Sequence, residues 1–365
     1  MIIMDVRIDN MFAFKNFNMN MSYPKKIVNS TIEGEFLPER PNFRYRKVNI
    51  IMGSNATGKT TLARILMSFA NYLRSGNYFE FAEFINDVSQ NASFQIDFVG
   101  INNRLYRFYI NIEKNTKDDK EEIICTKKIE YVDIKKSDRY ETCADRLQNG
   151  WGNSIDYKDV MVNGWSFQYG DKIYNQTIHL NDDRYTNILE WVMKTLDPSV
   201  EKIVKVTDTE DTYVIRMNNR DIVVQNGNLM IEDTLSSGTK RGFYIAYAIA
   251  SMMFKMHNFY FCDELFTYVN SDIEMACLSL LIDKIPPYGQ LFFTTHNSDI
   301  AEMDLPKHAF CFFKKNKYEP YDIAYVNASD YLKKSTESVK NALDNDVFSS
   351  EPDVEKIYAI ADLNI

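Results

Sequence analysis

The chain has 365 residues, 45% of them apolar and 25% charged, with 51 acidic against 42 basic side chains for a formal net charge of −9. That is enough apolar chain for one large domain, or for a domain with a sizeable insertion; the acidic balance argues against nonspecific coating of nucleic acid as the main activity, while leaving room for a local basic groove. The longest apolar run, Phe243 to Phe254, falls short of the roughly 20 residues that a membrane-spanning helix needs, so no membrane partner is expected.

The opening "MIIMDVRIDNMFAF" alternates like a strand and lacks the basic leader and small-residue cleavage site of a secretion signal, which points to the cytoplasm. Up to about Arg46 the pattern continues as strands around a Pro-containing surface loop, "FLPERPNFRYRK", and "KVNIIMG" reads as a short buried strand. A helix is expected from Lys59 to about Arg74, with Gly76 just past its end. "SFQIDFVG", "RLYRFYINIE" and "IICTKKIEYVDI" read as antiparallel strands, the last two forming a solvent-facing arm with the charged "KNTKDDKEE" at its tip. From Lys136 to His179 the text is aromatic, punctuated by Gly and Asn, and without a clear period, so it reads as an irregular insertion.

A helix near Thr186 to Leu196 stops before Pro198, and "KIVKV", "DTYVIRM" and "DIVVQ" supply short strands. After the turn "LSSGTK" comes a helix that is apolar on nearly every face. "NFYFCDEL" is an apolar strand ending in two carboxylates, "DIEMACLSLLIDKI" a helix closed by Pro286 and Pro287, and "GQLFFTTHNSDI" a second apolar strand ending in a polar turn. Buried strands alternating with helices imply a mainly parallel sheet. The tail from Ser329 is acidic and partly helical; Asp344 and Asp346 there read as solvated surface. Five scattered cysteines, Cys125, Cys143, Cys262, Cys277 and Cys311, form no C-x-x-C pair and have no histidine at ligand spacing, so reduced, mostly buried thiols are expected. No internal repeat and no heptad pattern long enough for a coiled coil is present.

Four motifs carry chemistry. "GSNATGKTT", Gly53 to Thr61, fills G-x-x-x-x-G-K-[ST] between an expected strand and an expected helix. Its backbone N–H groups and the helix N-terminus would cradle phosphates, with Gly53, Asn55, Gly58, Lys59, Thr60 and Thr61 as the nucleotide-binding set. Lys59 would reach the β- and γ-phosphates, and the Thr60 hydroxyl would ligate Mg²⁺. In "FYFCDE", Asp263 and Glu264 stand at the carboxyl end of a buried strand, where ligands of open α/β sheets sit. Asp263 would hold the Mg²⁺ through water and Glu264 would activate the attacking water, although paired carboxylates also occur as helix caps. "FFTTHNS" delivers His296 to the same sheet edge, either as a γ-phosphate sensor or as a satisfied structural histidine. "LSSGTK" has the composition of an anion-binding helix N-terminus, built from Ser236, Ser237 and Gly238, and equally that of an ordinary cap.

In this order the motifs resemble the ATP-binding-cassette (ABC) class of ATPases, whose signature L-S-G-G-Q is matched as Leu235-Ser236-Ser237-Gly238-Thr239. The resemblance implies a P-loop NTPase fold of ABC type: a parallel core with an N-terminal antiparallel β subdomain and an inserted β-arm and helical region. It implies ATP and Mg²⁺ as ligands, and a homodimer or higher oligomer in which each signature caps the partner's ATP. The expected division is 1–100 for the β subdomain and phosphate loop, 101–200 for the inserted region, 201–328 for the remaining motifs and 329–365 for the tail. "FLPERPNFRYRKVNIIMGSNATGKTTLARIL", "LSSGTKRG", "DELFTYVNSD" and "TTHNSDIAEM" look most like stand-alone AAA-family ATPases related to the OLD and RecF proteins, with an SMC-like head but no long coiled coil.

Many such proteins belong to bacterial phage-defence and abortive-infection systems, beside a toxin or nuclease, so the resemblance implies an ATPase switch controlling a separate effector. It leaves open a RecF-like DNA clamp, touched by Lys127-Lys128, Lys135-Lys136 or Lys314-Lys315-Lys317, and a poorly hydrolysing scaffold that holds a toxin. The sequence departs from the pattern at Ser237, where glycine is usual, and at Thr239, where glutamine is. Asn270 stands where the loop crossing the dimer interface would lie, and no lid-loop glutamine is assignable, since Gln95 falls in an expected strand. Tyr, Trp and Phe of the arm and insertion suit either a partner platform or a core.

Overall fold

The computed structural model describes residues 1–27, 30–117, 120–170, 173–174, 183–206, 209, 212–218, 220–225, 228–229, 236–315, 323–350, 355–358 and 360. In chain order the strands are β1 (Ile2–Asp9), β2 (Phe17–Asn20), β3 (Phe36–Leu37), β4 (Arg40–Arg44), β5 (Val48–Met52), β6 (Ala92–Val99), β7 (Arg104–Lys117), β8 (Lys120–Asp133), β9 (Asn153–Ser154), β10 (Trp165–Tyr169), β11 (Ile173–Tyr174), β12 (Val200–Lys205), β13 (Thr212–Met217), β14 (Arg220–Gln225), β15 (Asn228–Leu229), β16 (Phe259–Asp263), β17 (Gln290–Thr294), β18 (Phe310–Lys315) and β19 (Ile323–Asn327). The helices are α1 (Lys59–Ser75), α2 (Glu80–Glu83), α3 (Tyr140–Gln148), α4 (Asp183–Leu196), α5 (Ser237–Met253), α6 (Ser271–Lys284), α7 (Ala328–Tyr331), α8 (Val339–Asp344) and α9 (Glu355–Tyr358).

The apolar runs "VNIIM", "FYFCD" and "QLFFT" become β5, β16 and β17, buried along their whole length because both faces of their sheet are covered. That sheet runs β11-β10-β16-β17-β5-β18-β19, with β10, β16, β17, β5 and β18 parallel and the two outermost strands antiparallel to their neighbours. Alternation along the strands sorts the side chains. Ile50, Tyr260, Cys262, Leu291, Phe293 and Phe312 face the cluster that includes α5, α6 and the sheet β12-β13-β14-β15. Ile51, Phe259, Phe261, Phe292 and Phe313 face the cluster built with α1 and the antiparallel sheet β2-β1-β6-β7-β8-β9. Phe69 of α1 sits 5.2 Å from Phe98 and 5.3 Å from Phe108, ring centroid to centroid, and so pins α1 to that sheet.

Helix α1 ends as its sequence dictates: Gly76 adopts φ 74 and its N–H reaches Tyr72 O at 2.7 Å, a left-handed C-cap that glycine takes without steric cost. Two expectations change, and the tail adds a finding. The β7–β8 hairpin is not a solvent-facing arm over its inner half, since Tyr106, Phe108, Ile110, Ile112 and Ile129 are core and only near the tip do Ile123 and Ile124 become exposed. The reason is the pairing of β6 with β7, which makes the hairpin part of the sheet that covers α1, on both sides of residue 100. The stretch from Lys136 to His179 is not irregular throughout: it contains α3 and β10, which joins the central sheet beside β16. Finally, the tail contributes to the core, with Phe348 stacked on Phe312 at 3.9 Å and nearly coplanar. No helix among the described residues is long and apolar enough to cross a membrane.

Candidate active site at the sheet edge

The carboxyl ends of β5, β16 and β17 bring three of the four motifs together. The chain leaves β5 at Gly53, φ 153, turns through Ala56 at φ 61, and enters α1 after Gly58 at φ 93. The values at Gly53 and Gly58 favour glycine, and a Cβ at Gly58 would lie 2.8 Å from Phe14 Cζ. Gly58 gives the first N–H groups of α1 no side-chain cap, whereas α5 and α6 are capped by Ser236 and Asn270. An uncapped helix start beneath a glycine loop is a place for an anion's oxygens. Asn55 is exposed at the loop and Thr61 is half-buried in the first turn of α1.

Lys59 is buried, and its ammonium donates to Gly53 O at 2.8 Å and Ser54 O at 3.2 Å, with Glu264 Oε1 4.0 Å away. Burial lowers the Lys59 pKa, opposed by the charges of Glu264 and Asp263. Asp263 is also buried, and burial raises its carboxyl above the ordinary range against hydrogen bonds from Thr60 and Thr294. Thr60 and Asp263 therefore meet across the loop and the strand end, an all-oxygen pair of the kind that Mg²⁺ accepts beside phosphate oxygens. No group of three or more His, Cys, Asp or Glu side chains among the described residues is placed to hold a metal by itself.

Glu264 occupies the left-handed turn at the strand exit, φ 49. Its Oε1 accepts from His296 Nε2 at 2.9 Å; a carboxylate only accepts, so that nitrogen carries the proton in this pair. This hydrogen bond is the main reason that the Glu264 carboxyl is held below its usual range, aided by the charges of His296, Lys59 and Arg241. The sequence reading missed Thr294, whose Oγ1 donates to Asp263 Oδ1 at 2.7 Å and accepts from Glu264 N at 2.9 Å. It also missed Gly170, which ends β10 beside the site: its N–H donates to Asp263 O at 3.1 Å, and a Cβ there would run into Arg241 Nη1 and Glu264 O. The first threonine of "FFTTHNS" and the glycine after an aromatic strand were visible signals, but their use depends on strand neighbours that sequence spacing does not fix.

The fourth motif forms a separate cluster. Ser236 caps α5, its Oγ accepting from Thr239 N at 3.1 Å, and Thr239 Oγ1 donates to Asp197 Oδ2 at 3.2 Å. Ser237 is exposed, and a Cβ on Gly238 would lie 3.2 Å from Tyr268 O, in the turn that follows Glu264. Asn270 accepts from Asp272 N at 2.8 Å and so caps α6. Leu235 lies outside the described residues. Gln95 is a strand residue of β6, paired with Arg7 and Tyr109.

Of the basic pairs, Lys127 lies over the Tyr78 ring at 3.8 Å and Lys128 pairs with Glu130 at 2.6 Å; Lys317 lies outside the described residues. The aromatic residues divide: Tyr106, Phe108 and Tyr140 are core, while Trp151 and Trp191 are 70% and 69% exposed. All five cysteines are free thiols, with Cys143, Cys262 and Cys311 buried.

No family model matches the sequence, and no curated protein matches it. Solved structures do. A crystal structure of an Smc head bound to the C-terminal winged-helix domain of ScpA is similar at TM-score 0.51 and 11% identity, over 94% of this chain and 100% of that one. The SMC head domain from Thermotoga maritima is similar at TM-score 0.44 and 14% identity, over 90% and 99% of the two chains. The recombination mediator RecF with a bound ATP analogue gives TM-score 0.42 and 11% identity, over 89% and 98%. The chain is thus a mixed α/β protein whose fold is similar to that of the Smc head.

Proposed function

We propose that this chain is an ATP-binding and ATP-hydrolysing ABC-type P-loop ATPase that closes as a dimer around ATP·Mg²⁺ and acts as a conformational switch for a separate effector protein. The observation that carries the reading is the meeting of Lys59, Asp263, Glu264 and His296 at one sheet edge, with Glu264 Oε1 2.9 Å from His296 Nε2 and 4.0 Å from Lys59 Nζ. Four side chains from three separate motifs converge where a glycine loop and an uncapped helix start are ready for phosphates.

In this reading the loop N–H groups and Lys59 bind and orient the β- and γ-phosphates, while the buried ammonium offers its charge in a poorly solvated place where it acts strongly. Mg²⁺, held by Thr60 and Asp263, would supply further positive charge to the phosphate oxygens. Glu264 receives the attacking water's proton. Because the His296 hydrogen bond holds its carboxyl low, Glu264 is a weak base, suited to orienting water rather than removing its proton early. His296, already aimed at Glu264, is placed to sense the terminal phosphate.

The signature turn from Ser236 to Gly238 serves the partner's nucleotide in the proposed dimer. Its contact with Tyr268, in the turn after Glu264, would link one site to the other. Asn270 caps the next helix from the same turn. In this reading the chain acts in the cytoplasm, and its parts 1–100 and 101–200 work as joined units because β6 and β7 share one sheet, followed by 201–328 and a tail. The Smc head, whose fold this chain shares, was solved with a winged-helix domain of a partner protein, which favours a protein effector. A role in anti-phage defence, with a toxin or nuclease as effector, follows from the resemblance of its motifs to the OLD-related ATPases.

The test is ATP hydrolysis together with solution mass, for wild type and Glu264→Gln, with and without ATP·Mg²⁺. Hydrolysis by wild type and an ATP-dependent dimer of the variant support the proposal. Absence of hydrolysis together with assembly indifferent to nucleotide would overturn it.

A further inference from the structure

We infer that Glu274 is a positioning residue for His296, gripping the side chains of the residues on both sides of that histidine; the inference rests on the ATPase reading and deepens it. Glu274 lies in the first turn of α6 and is only 5% exposed. A carboxylate so buried requires partners, and both of its partners flank His296. Oε1 accepts from Thr295 Oγ1 at 2.7 Å, and Oε2 accepts from Asn297 Nδ2 at 2.9 Å. The two residues are themselves tied, since Asn297 N donates to Thr295 Oγ1 at 3.0 Å. Ser271, also in the first turn of α6, adds a second point: Asn297 Nδ2 reaches its Oγ at 2.9 Å, and that hydroxyl donates to Asp299 Oδ2 at 2.8 Å.

These bonds close a ring. Glu264 O accepts from Thr267 N at 3.2 Å and Thr267 Oγ1 at 2.9 Å, which fixes the turn leading to Asn270 and α6. From α6, Glu274 holds Thr295 and Asn297, and between them His296 returns to Glu264 at 2.9 Å. The side chain of His296 is itself 40% exposed, so packing does little to fix its ring and the flanking anchors do more. Tyr268, in the same turn, is 74% exposed at φ 71 beside Gly238. The turn that carries Tyr268 is thereby tied to His296 through α6 and Glu274.

The test compares Glu274→Met with Glu274→Gln. Glutamine can donate to Thr295 Oγ1 and accept from Asn297, keeping both anchors, whereas methionine fills similar space and keeps neither. We expect Glu274→Met to lower kcat for ATP hydrolysis roughly ten- to a hundred-fold, the scale of a misplaced catalytic group, with KM within about twofold; Glu274→Gln should stay close to wild type. A second readout does not depend on turnover. In protein labelled at its four histidines, the ring resonance of His296, assigned with His296→Gln, should shift in Glu274→Met and not in Glu274→Gln. If wild type does not hydrolyse ATP, the ATPase reading fails while the resonance still decides the positioning role. An unmoved His296 resonance in Glu274→Met, or equal losses in both variants, would overturn the inference.

Discussion

Thr294→Val isolates one hydroxyl at the junction of fold and site. Valine keeps the β-branched shape that suits the buried strand β17, but removes the Oγ1 that donates to Asp263 Oδ1 at 2.7 Å and accepts from Glu264 N at 2.9 Å. A hydrogen bond to a charged group contributes about 1.5–3 kcal/mol, and an orphaned buried partner costs about 1–3 kcal/mol. Because Glu264 is partly exposed, water can rescue some of the second loss, so the expected destabilisation is about 2–4 kcal/mol.

The sign with pH follows from Asp263. Its carboxyl is raised in the fold by burial, so its ionisation costs stability: the cost is absent below the unfolded value of about 3.9 and grows as pH rises through the folded value. Thr294 offsets part of that cost by favouring the ionised form, so the variant's deficit should be larger at pH 8 than near pH 4. Urea unfolding, followed by tryptophan fluorescence and far-UV circular dichroism at both pH values, reads the deficit. A midpoint unchanged from wild type, or the same deficit at both pH values, would refute the bridging role of this hydroxyl.

Glu264→Gln should abolish hydrolysis while retaining ATP, measured by filter binding against turnover, because it keeps the shape and loses the proton acceptor. Gly58→Ala should cost about 1–3 kcal/mol in stability for a strained left-handed residue, and should weaken ATP binding measurably by calorimetry, since its Cβ would lie 2.8 Å from Phe14 Cζ. Ser236→Ala should cost about 1 kcal/mol through the lost α5 cap; if the signature acts on the partner's nucleotide, mixing it with Lys59→Ala should restore part of the ATPase rate that each homodimer lacks. Phe348→Ala should destabilise by about 3–5 kcal/mol in urea, because Phe348 stacks on Phe312 of the central sheet at 3.9 Å.

Local chemistry made much of this protein legible in its sequence. The glycine loop into α1, the Gly76 stop and the apolar runs of β5, β16 and β17 were readable because backbone conformation, helix termination and burial on both sheet faces each demand a narrow set of residues. Lys59, Thr60, Asp263, Glu264 and His296 stood out as candidates for the same reason: their motifs are short and contiguous. What the tertiary structure decided was who stands beside whom. Strand order put β17 between β5 and β16, which turned Thr294 into the bridge between two carboxylate residues and brought His296 onto Glu264. Pairing with β16 gave "WSFQY", an aromatic and polar alternation inside an otherwise aperiodic stretch, its place in the central sheet, and pairing with β6 buried the inner half of the β7–β8 hairpin. Nothing in the sequence around Glu274 marks it; only the approach of the β17 turn to α6 gave its carboxylate Thr295 and Asn297. Contacts between residues far apart in sequence depend on how strands order and layers pack, and neither is encoded in the spacing of neighbours along the chain.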